Sequence, residues 1–559
     1  MSSSNPVLHP MRCPFGQRAR LLMPGLLHSL PAIPARTHHN MEASLRLRVL
    51  HPPVNPLRLC GRNVGQKANR TIQASVLVNH PSGSLSHLQT LLVSGDQIEV
   101  PVRRVAHPEA LLPSLFREKV GVTVDRFIDQ KLRRRVQTLE PMLFDQWVSR
   151  YPLNRQLALS KARESLLDRG NASPTDARVE NFLKYEVSTT MTDPRNISPR
   201  GDAFLSVLGP YISALEHNFC KLPFLVKGIG LDKRHAKITR LGDYSAYIET
   251  DYSRFDMTIS EEVQRLIEYR LLTYAFNERD HPLFHALMSM TWKTKGNNEF
   301  DIAYATIGGR CSGDAHTSLG NGLLNYFMTW AAFENAGFDW ISYHEGDDGI
   351  IGLPRESVGM AADLLTVINT MGFKVKSVVS EQLEDTTFCG RWLINIDGQV
   401  VSFADVPRTL GKFNVTTAQG KLQTLLVAKA LSYYHTDRNT PIIGPLCQAI
   451  LKIYMPGLTR SARKRAVSLI AGDRFMMREE VYNDSLQDED PCIRYEARWL
   501  VEHRGCYTIS AQLQLEKTFL DWVSRGAVPL KFQKLLCGEQ IFEADDRHVI
   551  IPPEYYEHL

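Results

Sequence analysis

Two adjacent aspartates, Asp347 and Asp348, constrain the fold of this chain more than any other feature of its sequence. Ile341 and Tyr343 alternate with polar residues before them, and an apolar run resumes at Gly349, so the pattern predicts two strands joined by a tight turn. Neighbouring carboxylates at such a tip repel each other unless a cation lies between them. Mg²⁺ or Mn²⁺ is the natural cation for an all-oxygen site. A solvated turn is the plain alternative, because Gly and Asp are common turn residues.

A second pair of acids, Asp251 and Asp256, could supply partners for this turn. Residues 247–250 are β-prone, so Asp251 is expected near the end of a strand. Thr258 and Glu261 form a capping-box pattern before a segment with helical apolar spacing, which places Asp256 in the connection to a helix. Strand ends are where open α/β sheets bind their ligands. Asp256 could instead be an acid that the helix dipole favours.

A glycine-rich segment at residues 308–321 predicts a third part of the same site. Its glycines, including Gly313, let the backbone approach a ligand closely. An amphipathic helix is expected next, and Thr317 and Asn321 would share one of its faces. Together with Ser312, these short polar side chains could form hydrogen bonds with sugar hydroxyls. A simple helix cap would explain one of these residues but not the glycines as well.

The three motifs occur in a fixed order: Asp251-x4-Asp256, then Ser312-Gly-x3-Thr317-x3-Asn321, then Gly346-Asp347-Asp348. In this order they resemble the catalytic palm of viral RNA-dependent RNA polymerases, in wording closest to positive-strand viruses of the tombusvirus-like and nodavirus-like supergroup. The resemblance covers about residues 140–455. It implies an α+β right-hand polymerase fold, with fingers, a palm made of an antiparallel sheet and packed helices, and a helical thumb.

The resemblance implies RNA-templated RNA synthesis that replicates a viral RNA genome. Nucleoside triphosphates would be joined to an RNA 3′-hydroxyl with release of pyrophosphate, assisted by two ions of Mg²⁺ or Mn²⁺. Asp251 and Asp347 would hold these ions with help from Asp348. The residues implied in binding the nucleotide and its ribose 2′-hydroxyl are Asp256, Ser312, Gly313, Thr317 and Asn321.

A basic segment upstream resembles the finger motif that lines the nucleotide path in these enzymes. It contains Lys184, and Arg195 and Arg200 lie beside prolines that restrict their backbone. Guanidinium forks match triphosphate oxygens, so these three residues are candidate nucleotide ligands. An exposed basic turn is the alternative interpretation of the segment.

Two segments downstream extend the resemblance. Residues 373–379 alternate like a strand and resemble the motif that supplies a lysine near the leaving pyrophosphate. Lys376 is preferred as this general acid, and Lys374 is the alternative. Residues 388–392 resemble the hairpin that grips the primer strand, although a β-turn with core aromatic residues is also consistent with them. The RNA contacts implied for this hairpin are Cys389, Gly390 and Arg391.

The expected organisation is a hand with several subdomains, because 559 residues are too many for one small core. Residues 1–100 form a basic, Pro-rich N-terminal region, and residues 101–240 form the fingers. The palm covers residues 241–395, with a finger insertion at about 277–305, and residues 396–559 form the thumb.

Charge is unevenly distributed along the chain. Residues 1–70 carry ten Lys or Arg and one acid, a net charge of +9, whereas the whole chain has +5. This region is expected to be partly disordered. A flexible tail, an RNA-binding arm, a partner-binding segment and a transit-like peptide all remain open for it.

Membrane and cysteine patterns restrict the environment of the protein. No apolar run reaches membrane-spanning length, so any membrane association would be indirect. The nine cysteines include no Cys-x-x-Cys pair, which fits a reducing compartment and gives no sign of zinc or disulfides. The resemblance implies work in the host cell cytoplasm, with membrane-associated replication complexes as one option. Template and product RNA, NTPs and other viral replicase proteins are the implied partners.

Two rival functions remain at this level. A reverse transcriptase uses the same palm and metals, but it must exclude the 2′-hydroxyl that Asp256 and Asn321 would bind. A catalytically inactive RNA-binding replication scaffold is the rival that is not an enzyme. All the motif carboxylates are present, which argues against a loss of catalytic activity.

Overall fold

The structure is a computed structural model that describes most of the chain after residue 113. The described residues are 20–21, 57–59, 114–170, 172–183, 196–297, 302–413, 415–416, 421–470, 490–526, 541–544 and 547–550. The expected N-terminal region, residues 1–100, therefore lies almost wholly outside the described residues.

Helices account for most of the described secondary structure. Those before the glycine-rich segment are α1 (Ser114–Phe127), α2 (Phe144–Val148), α3 (Leu153–Arg169), α4 (Asp202–Phe219), α5 (Leu231–Ile238), α6 (Phe255–Thr258), α7 (Glu261–Val263), α8 (Tyr269–Thr273) and α9 (Pro282–Met290). Those after it are α10 (Thr317–Phe333), α11 (Val358–Leu365), α12 (Val406–Phe413), α13 (Leu422–Asp437), α14 (Ile443–Tyr454), α15 (Arg460–Ile470), α16 (Tyr495–His503) and α17 (Ile509–Arg525). A π-helical turn, Gln264–Glu268, joins α7 to α8.

The strands form several small sheets. In chain order they are β1 (Arg20–Leu21), β2 (Leu57–Leu59), β3 (Val179–Glu180), β4 (Phe182–Leu183), β5 (Asn196–Ile197), β6 (Ala246–Tyr252), β7 (Lys293–Asn297), β8 (Ile302–Ile307), β9 (Ile341–Glu345), β10 (Asp348–Leu353), β11 (Val375–Ser380), β12 (Thr387–Phe388), β13 (Arg391–Ile396), β14 (Gln399–Ala404), β15 (Val415–Thr416), β16 (Ile541–Ala544) and β17 (Arg547–Ile550).

A four-stranded antiparallel sheet with the order β11-β6-β10-β9 carries the predicted acids. β9 and β10 are joined by a turn at Gly346 and Asp347. Gly346 has a φ of 62°, which glycine adopts without the strain that a side chain would add. The strand-turn-strand predicted around Asp347 is therefore confirmed.

Both faces of strands β6, β10 and β9 are largely buried, and this fixes their register because alternate side chains point to opposite faces. On one face, Ile248 and Ile351 belong to a core that includes Leu323 of α10. On the other face, Tyr247 and Ile350 pack in a core with residues of the three-stranded sheet β12-β13-β14. A shift of one residue would exchange the two sets of side chains.

A separate core lies among the C-terminal helices. Val427, Leu446 and Trp522 come from α13, α14 and α17, and they share this core with Trp392 of β13. Burying a large apolar side chain contributes about 1.5–3 kcal/mol, so each of these residues ties the helices to the hairpin. Among the described residues, no helix combines the length and the apolar character needed to cross a bilayer.

The α+β fold class is confirmed by these sheets and helices, while the boundaries of fingers, palm and thumb stay predictions. The expected capping box was wrong in its detail. The helix begins at Glu261 because Ser260 is its cap and accepts a hydrogen bond from the Val263 amide. Thr258 instead ends α6, and its hydroxyl donates to the Phe255 carbonyl at 2.9 Å.

Candidate active site

The register of the central sheet brings the predicted acids together from distant parts of the chain. Gly349 of β10 pairs with Thr250 of β6. In this antiparallel register, Asp348 and Asp251 lie opposite each other, one position beyond that pair. Lys376 of β11 lies directly opposite Asp251 on the other side of β6. Directly opposed residues have Cβ atoms about 4.5–5.5 Å apart, so the Lys376 ammonium can approach Asp251. Asp251, Asp348 and Lys376 are all exposed at the rim of the sheet.

Asp347 carries the clearest electrostatic mark of this convergence. Loss of solvation raises its pKa to about 6, and the charge of Asp348 adds to that rise. Asp256 and Asp251 contribute further repulsion. The register of β6 and β10, which sets Asp348 beside Asp251, is the geometric source of this repulsion. The four carboxylates thus share one region of negative potential.

The donor set fits a divalent cation that prefers oxygen. Asp251, Asp347 and Asp348 offer only carboxylate oxygens, which suit Mg²⁺ or Mn²⁺ rather than a softer metal. Within the described part of the chain, no three His, Cys, Asp or Glu side chains form a ready-made metal cage. Mg²⁺ in phosphoryl-transfer sites commonly binds one or two carboxylates together with water and substrate phosphates, so a complete protein cage is not required.

Asp256 lies in a hydrogen-bonded cluster with two of the predicted polar residues. The Ser312 hydroxyl donates to one carboxylate oxygen of Asp256, and the Asn321 amide donates to the other at 2.7 Å. The backbone amide of Arg310 also donates to the Asp256 carbonyl at 2.7 Å. The structure therefore brings together Asp256, Ser312 and Asn321, which the sequence places on three separate elements.

Arg310 is a residue of this cluster that the sequence analysis missed. It is fully buried, and its Nε donates to the side-chain oxygen of Asn321, Oδ1, at 3.2 Å. The same guanidinium forms an ion pair with Glu268 and contacts His316. With its oxygen occupied by Arg310, the Asn321 amide must present its nitrogen to Asp256. A single basic residue inside a glycine-rich loop was the available signal.

Burial shapes the charges around Arg310. It raises the pKa of Glu268, and the neighbouring guanidinium opposes that rise. Burial and the charge of Arg310 together lower the pKa of His316 well below its usual value, so His316 is neutral. Gly320 makes room for the ion pair, since a Cβ there would lie 2.5 Å from a Glu268 carboxylate oxygen.

Thr317 and Gly313 shape the glycine-rich loop. The Thr317 hydroxyl donates to the carbonyls of Cys311 at 3.0 Å and Asp314 at 2.9 Å. Gly313 has a φ of 135°, and a Cβ there would lie 3.0 Å from the backbone at Ser198. Their expected part in nucleotide binding stays a prediction, and the loop shape that they set is the contribution visible in the structure.

Arg200 occupies a different environment from the one expected of a triphosphate ligand. Its side chain is buried, it pairs with Asp314 at 2.6 Å, and it donates to the Ala177 carbonyl at 2.8 Å. A guanidinium enclosed in this way anchors the glycine-rich loop and has little access to a nucleotide. Lys184 and Arg195, the other candidates of this segment, lie outside the described residues.

The hairpin at residues 389–391 also departs from its expected role. Cys389 and Gly390 form its turn with φ values of 54° and 71°. Arg391 makes a two-pronged ion pair with Asp437 of α13 at 2.8 and 3.0 Å. Although burial alone would raise the pKa of Asp437, this guanidinium and two hydroxyls hold it below its usual value. Arg391 thus ties the hairpin to the C-terminal helices, and this leaves the half-buried Cys389 and Gly390 of the turn as the candidates for RNA contact.

Comparison with known proteins gives the class of the chain. Residues 123–455, more than half of the chain, match the model of a family described as viral RNA dependent RNA polymerase. This span contains every described residue of the candidate site. The chain therefore belongs to the viral RNA-dependent RNA polymerase family.

Individual relatives confirm the resemblance to the nodavirus-like and tombusvirus-like groups. The RNA-directed RNA polymerase of Pariacoto virus is 26% identical over 311 residues, which cover 54% of this chain and 31% of that protein. The polymerase of Greasy grouper nervous necrosis virus is 29% identical over 211 residues, 36% of this chain and 21% of that protein. That of Oat chlorotic stunt virus is 26% identical over 318 residues, 52% and 40% of the two chains. The chain thus spans less than half the length of these relatives.

A solved structure of a viral polymerase aligns with this chain at low similarity. It is the insertion loop deletion mutant of the RNA-dependent RNA polymerase of a human picorbirnavirus. It aligns with a TM-score of 0.49 and 16% identity, covering 66% of this chain and 78% of that one.

Proposed function

We propose that this protein is an RNA-directed RNA polymerase that extends an RNA 3′-end on an RNA template and so replicates a viral RNA genome. The observation that carries the proposal is the register of the central sheet, which sets Asp348 beside Asp251 at the same rim as the turn that holds Asp347. Family membership supports it, as do relatives named RNA-directed RNA polymerase.

Asp251, Asp347 and Asp348 would hold two ions of Mg²⁺ or Mn²⁺. When bound, the two ions would activate the RNA 3′-hydroxyl and neutralise the leaving pyrophosphate. The chain contributes rigid placement, because β6 and β10 fix the two groups of carboxylates side by side. Lys376 lies opposite Asp251, so its Nζ could donate a proton to the pyrophosphate. Lys374 precedes β11 and remains the alternative donor.

The ribose would be recognised by the cluster around Asp256. Each Asp256 carboxylate oxygen accepts one hydrogen bond from the protein and keeps a lone pair for the 2′-hydroxyl of a nucleotide. A deoxynucleotide would leave that acceptor unpaired. Hydrogen bonds to charged groups contribute about 1.5–3 kcal/mol, so roughly 10- to 100-fold preference for ribonucleotides is expected from this contact.

The proposed partners follow from this chemistry. Template and product RNA and NTPs would bind at the sheet rim, and other viral replicase proteins would act with the chain. The proposed location is the host cell cytoplasm, including membrane-associated replication complexes.

A primer-extension assay tests the function and separates its rivals. The purified chain is given a primed RNA template and either ribonucleotides or deoxynucleotides, with Mg²⁺ or Mn²⁺ and with EDTA as control. Template-dependent and metal-dependent incorporation of ribonucleotides is expected. Preference for deoxynucleotides would favour a reverse transcriptase. RNA binding without incorporation under any of these conditions would favour an inactive scaffold.

A further inference from the structure

A buried side-chain amide on α10 contacts strand β6 and the β9–β10 turn, the two segments that hold Asp251 and Asp347. Asn325 lies one helical turn after Asn321 and is fully buried. Its Nδ2 donates to the Asp347 carbonyl at 2.9 Å and, less closely, to the Gly346 carbonyl at 3.4 Å. Its Oδ1 accepts a hydrogen bond from the Tyr252 hydroxyl at 3.0 Å.

These contacts fix the orientation of the amide. A backbone carbonyl can only accept a hydrogen bond, so the Asn325 nitrogen must face the turn at Asp347. Its oxygen is then left for Tyr252, whose hydroxyl can donate. Every hydrogen bond that Asn325 makes through its side chain in the described residues therefore ends on β6 or on the β9–β10 turn.

The positions of these partners connect Asn325 with the metal carboxylates. Tyr252 directly follows Asp251 on β6, and the carbonyl that accepts from Asn325 belongs to Asp347 itself. The helix approaches the turn closely, since a Cβ at Gly322 would lie 3.2 Å from the Gly346 nitrogen. One side chain thus spans the gap between the two strands at the level of the acids.

The burial of Asn325 is not explained by apolar packing. Leu323, Leu324 and Phe327 beside it on α10 already pack this helix into the core. A buried amide is tolerated only where its polar atoms are satisfied, and an apolar residue of similar size would avoid that requirement. A polar residue at this position is therefore expected to serve the segments that it contacts.

We infer that Asn325 and Tyr252 form a positioning pair that sets the separation of the Asp251 and Asp347 carboxylates and thereby the affinity of the site for divalent cations. The inference rests on the proposed function, because it requires those acids to be the metal ligands. Because Asn321 and Asn325 lie on the same helix, α10 contacts both Asp256 and the turn that holds Asp347. Neither residue touches the metal in this account, and both act through the backbone beside the ligands.

The test measures Mn²⁺ binding to the full chain without RNA or NTP, by electron paramagnetic resonance of free Mn²⁺. Tyr252→Phe removes one hydroxyl and is expected to weaken binding by roughly 3- to 10-fold, the effect of one buried hydrogen bond. Asn325→Leu removes both sets of bonds and is expected to weaken binding by roughly 10- to 100-fold, as for residues that orient metal ligands. If Asn325→Leu does not fold, Tyr252→Phe carries the test.

Tyr247→Phe is the matched control. Tyr247 lies on the same strand, is buried, and donates its hydroxyl to the carbonyls of Leu241 at 3.0 Å and Tyr244 at 2.9 Å. It points to the opposite face from Tyr252, so its loss should lower the melting temperature without changing Mn²⁺ affinity. Equal Mn²⁺ affinity in the wild type, Tyr252→Phe and Asn325→Leu would overturn the inference.

Primer extension by the same proteins separates a failure of the positioning role from a failure of the proposed function. If the wild type binds Mn²⁺ and extends RNA while the variants bind Mn²⁺ as tightly, only the positioning role fails. If the wild type neither binds Mn²⁺ nor extends RNA, the proposed function fails and the inference fails with it.

Discussion

The candidate active site has two parts, and its carboxylates are surrounded differently in each: Asp347 lies beside another acid, whereas Asp256 lies among hydrogen-bond donors. Loss of solvation and repulsion by Asp348 raise the pKa of Asp347 to about 6. Asp256 instead accepts hydrogen bonds from Ser312 and Asn321. The proposed metal side therefore gathers negative charge that divalent cations can balance, whereas the hydrogen bonds of the proposed ribose side hold Asp256 in place without a ligand.

The largest expected effect concerns the support of the ribose side. Arg310→Met would remove the guanidinium of a buried ion pair and leave Glu268 without its partner. Removing one member of a buried pair costs about 3–5 kcal/mol, and urea unfolding should show a loss of that size. Arg355→Met is the control, because its pair with Glu381 is exposed and such pairs contribute about 1 kcal/mol or less. Similar losses in both variants would contradict a rigid, buried support.

The metal side is tested by activity rather than by stability. Asp251→Asn keeps the size of the side chain and removes one negative charge from the rim of the sheet. Loss of one pre-organised electrostatic contact commonly slows a reaction by about 10²- to 10³-fold, and single-nucleotide extension should slow by at least that factor. Asp243→Asn, at an exposed acid paired only loosely with Arg240 at 3.9 Å, should extend at the wild-type rate.

The ribose side is tested by nucleotide selectivity. Asn321→Ala removes the amide that orients Asp256 and should lower the ratio of kcat/KM for ribonucleotides over deoxynucleotides by roughly 10- to 100-fold. Asn369→Ala is the control, since Asn369 accepts a hydrogen bond from the Val375 amide away from this cluster. An unchanged ratio in Asn321→Ala would show that Asn321 and Asp256 do not recognise the ribose.

The smallest expected effect is a pH dependence of stability without metal. A raised pKa means that the folded protein binds the Asp347 proton more tightly than the unfolded chain does. The unfavourable charge therefore develops as the pH rises from about 4 to about 6. In EDTA, Asp347→Asn should become more stable than the wild type over this range and keep that advantage above it.

Adding Mg²⁺ sharpens the same comparison. The ion should stabilise the wild type and largely reverse the advantage of Asp347→Asn, because a ligand that binds only the folded state stabilises it. A melting-temperature difference that depends on neither pH nor Mg²⁺ would contradict the charge repulsion on the metal side.

Local sequence patterns predicted the framework of the site. The alternation around Asp347 predicted the β9–β10 hairpin, and the β-prone stretch before Asp251 predicted β6. The family resemblance implied that Asp251 and Asp347 hold the same metal ions, which requires these strands to lie close together. These features depend on periodicity within one element or on a family resemblance, so they are visible without the tertiary structure.

Tertiary burial decided the residues that the sequence could not place. The sequence suggested Arg200 as a nucleotide ligand, but Asp314, over a hundred positions away, encloses it in a buried ion pair. Arg391 is bound in the same way by Asp437. Arg310 supports Asn321 through a hydrogen bond and is itself paired with Glu268. Glu268 lies on the π-helical turn, so only the tertiary packing of that turn brings it close to Arg310.

The most direct test of the central claim is the Mg²⁺ dependence of ribonucleotide incorporation on an RNA template by Asp347→Asn and Asp339→Asn. Asp339 is an exposed acid that accepts a hydrogen bond from Tyr244 at 2.9 Å and lies outside the site. Asp347→Asn is expected to lose nearly all incorporation at every Mg²⁺ concentration, while Asp339→Asn should retain it. Incorporation by Asp347→Asn at the wild-type rate would contradict a metal site at this turn.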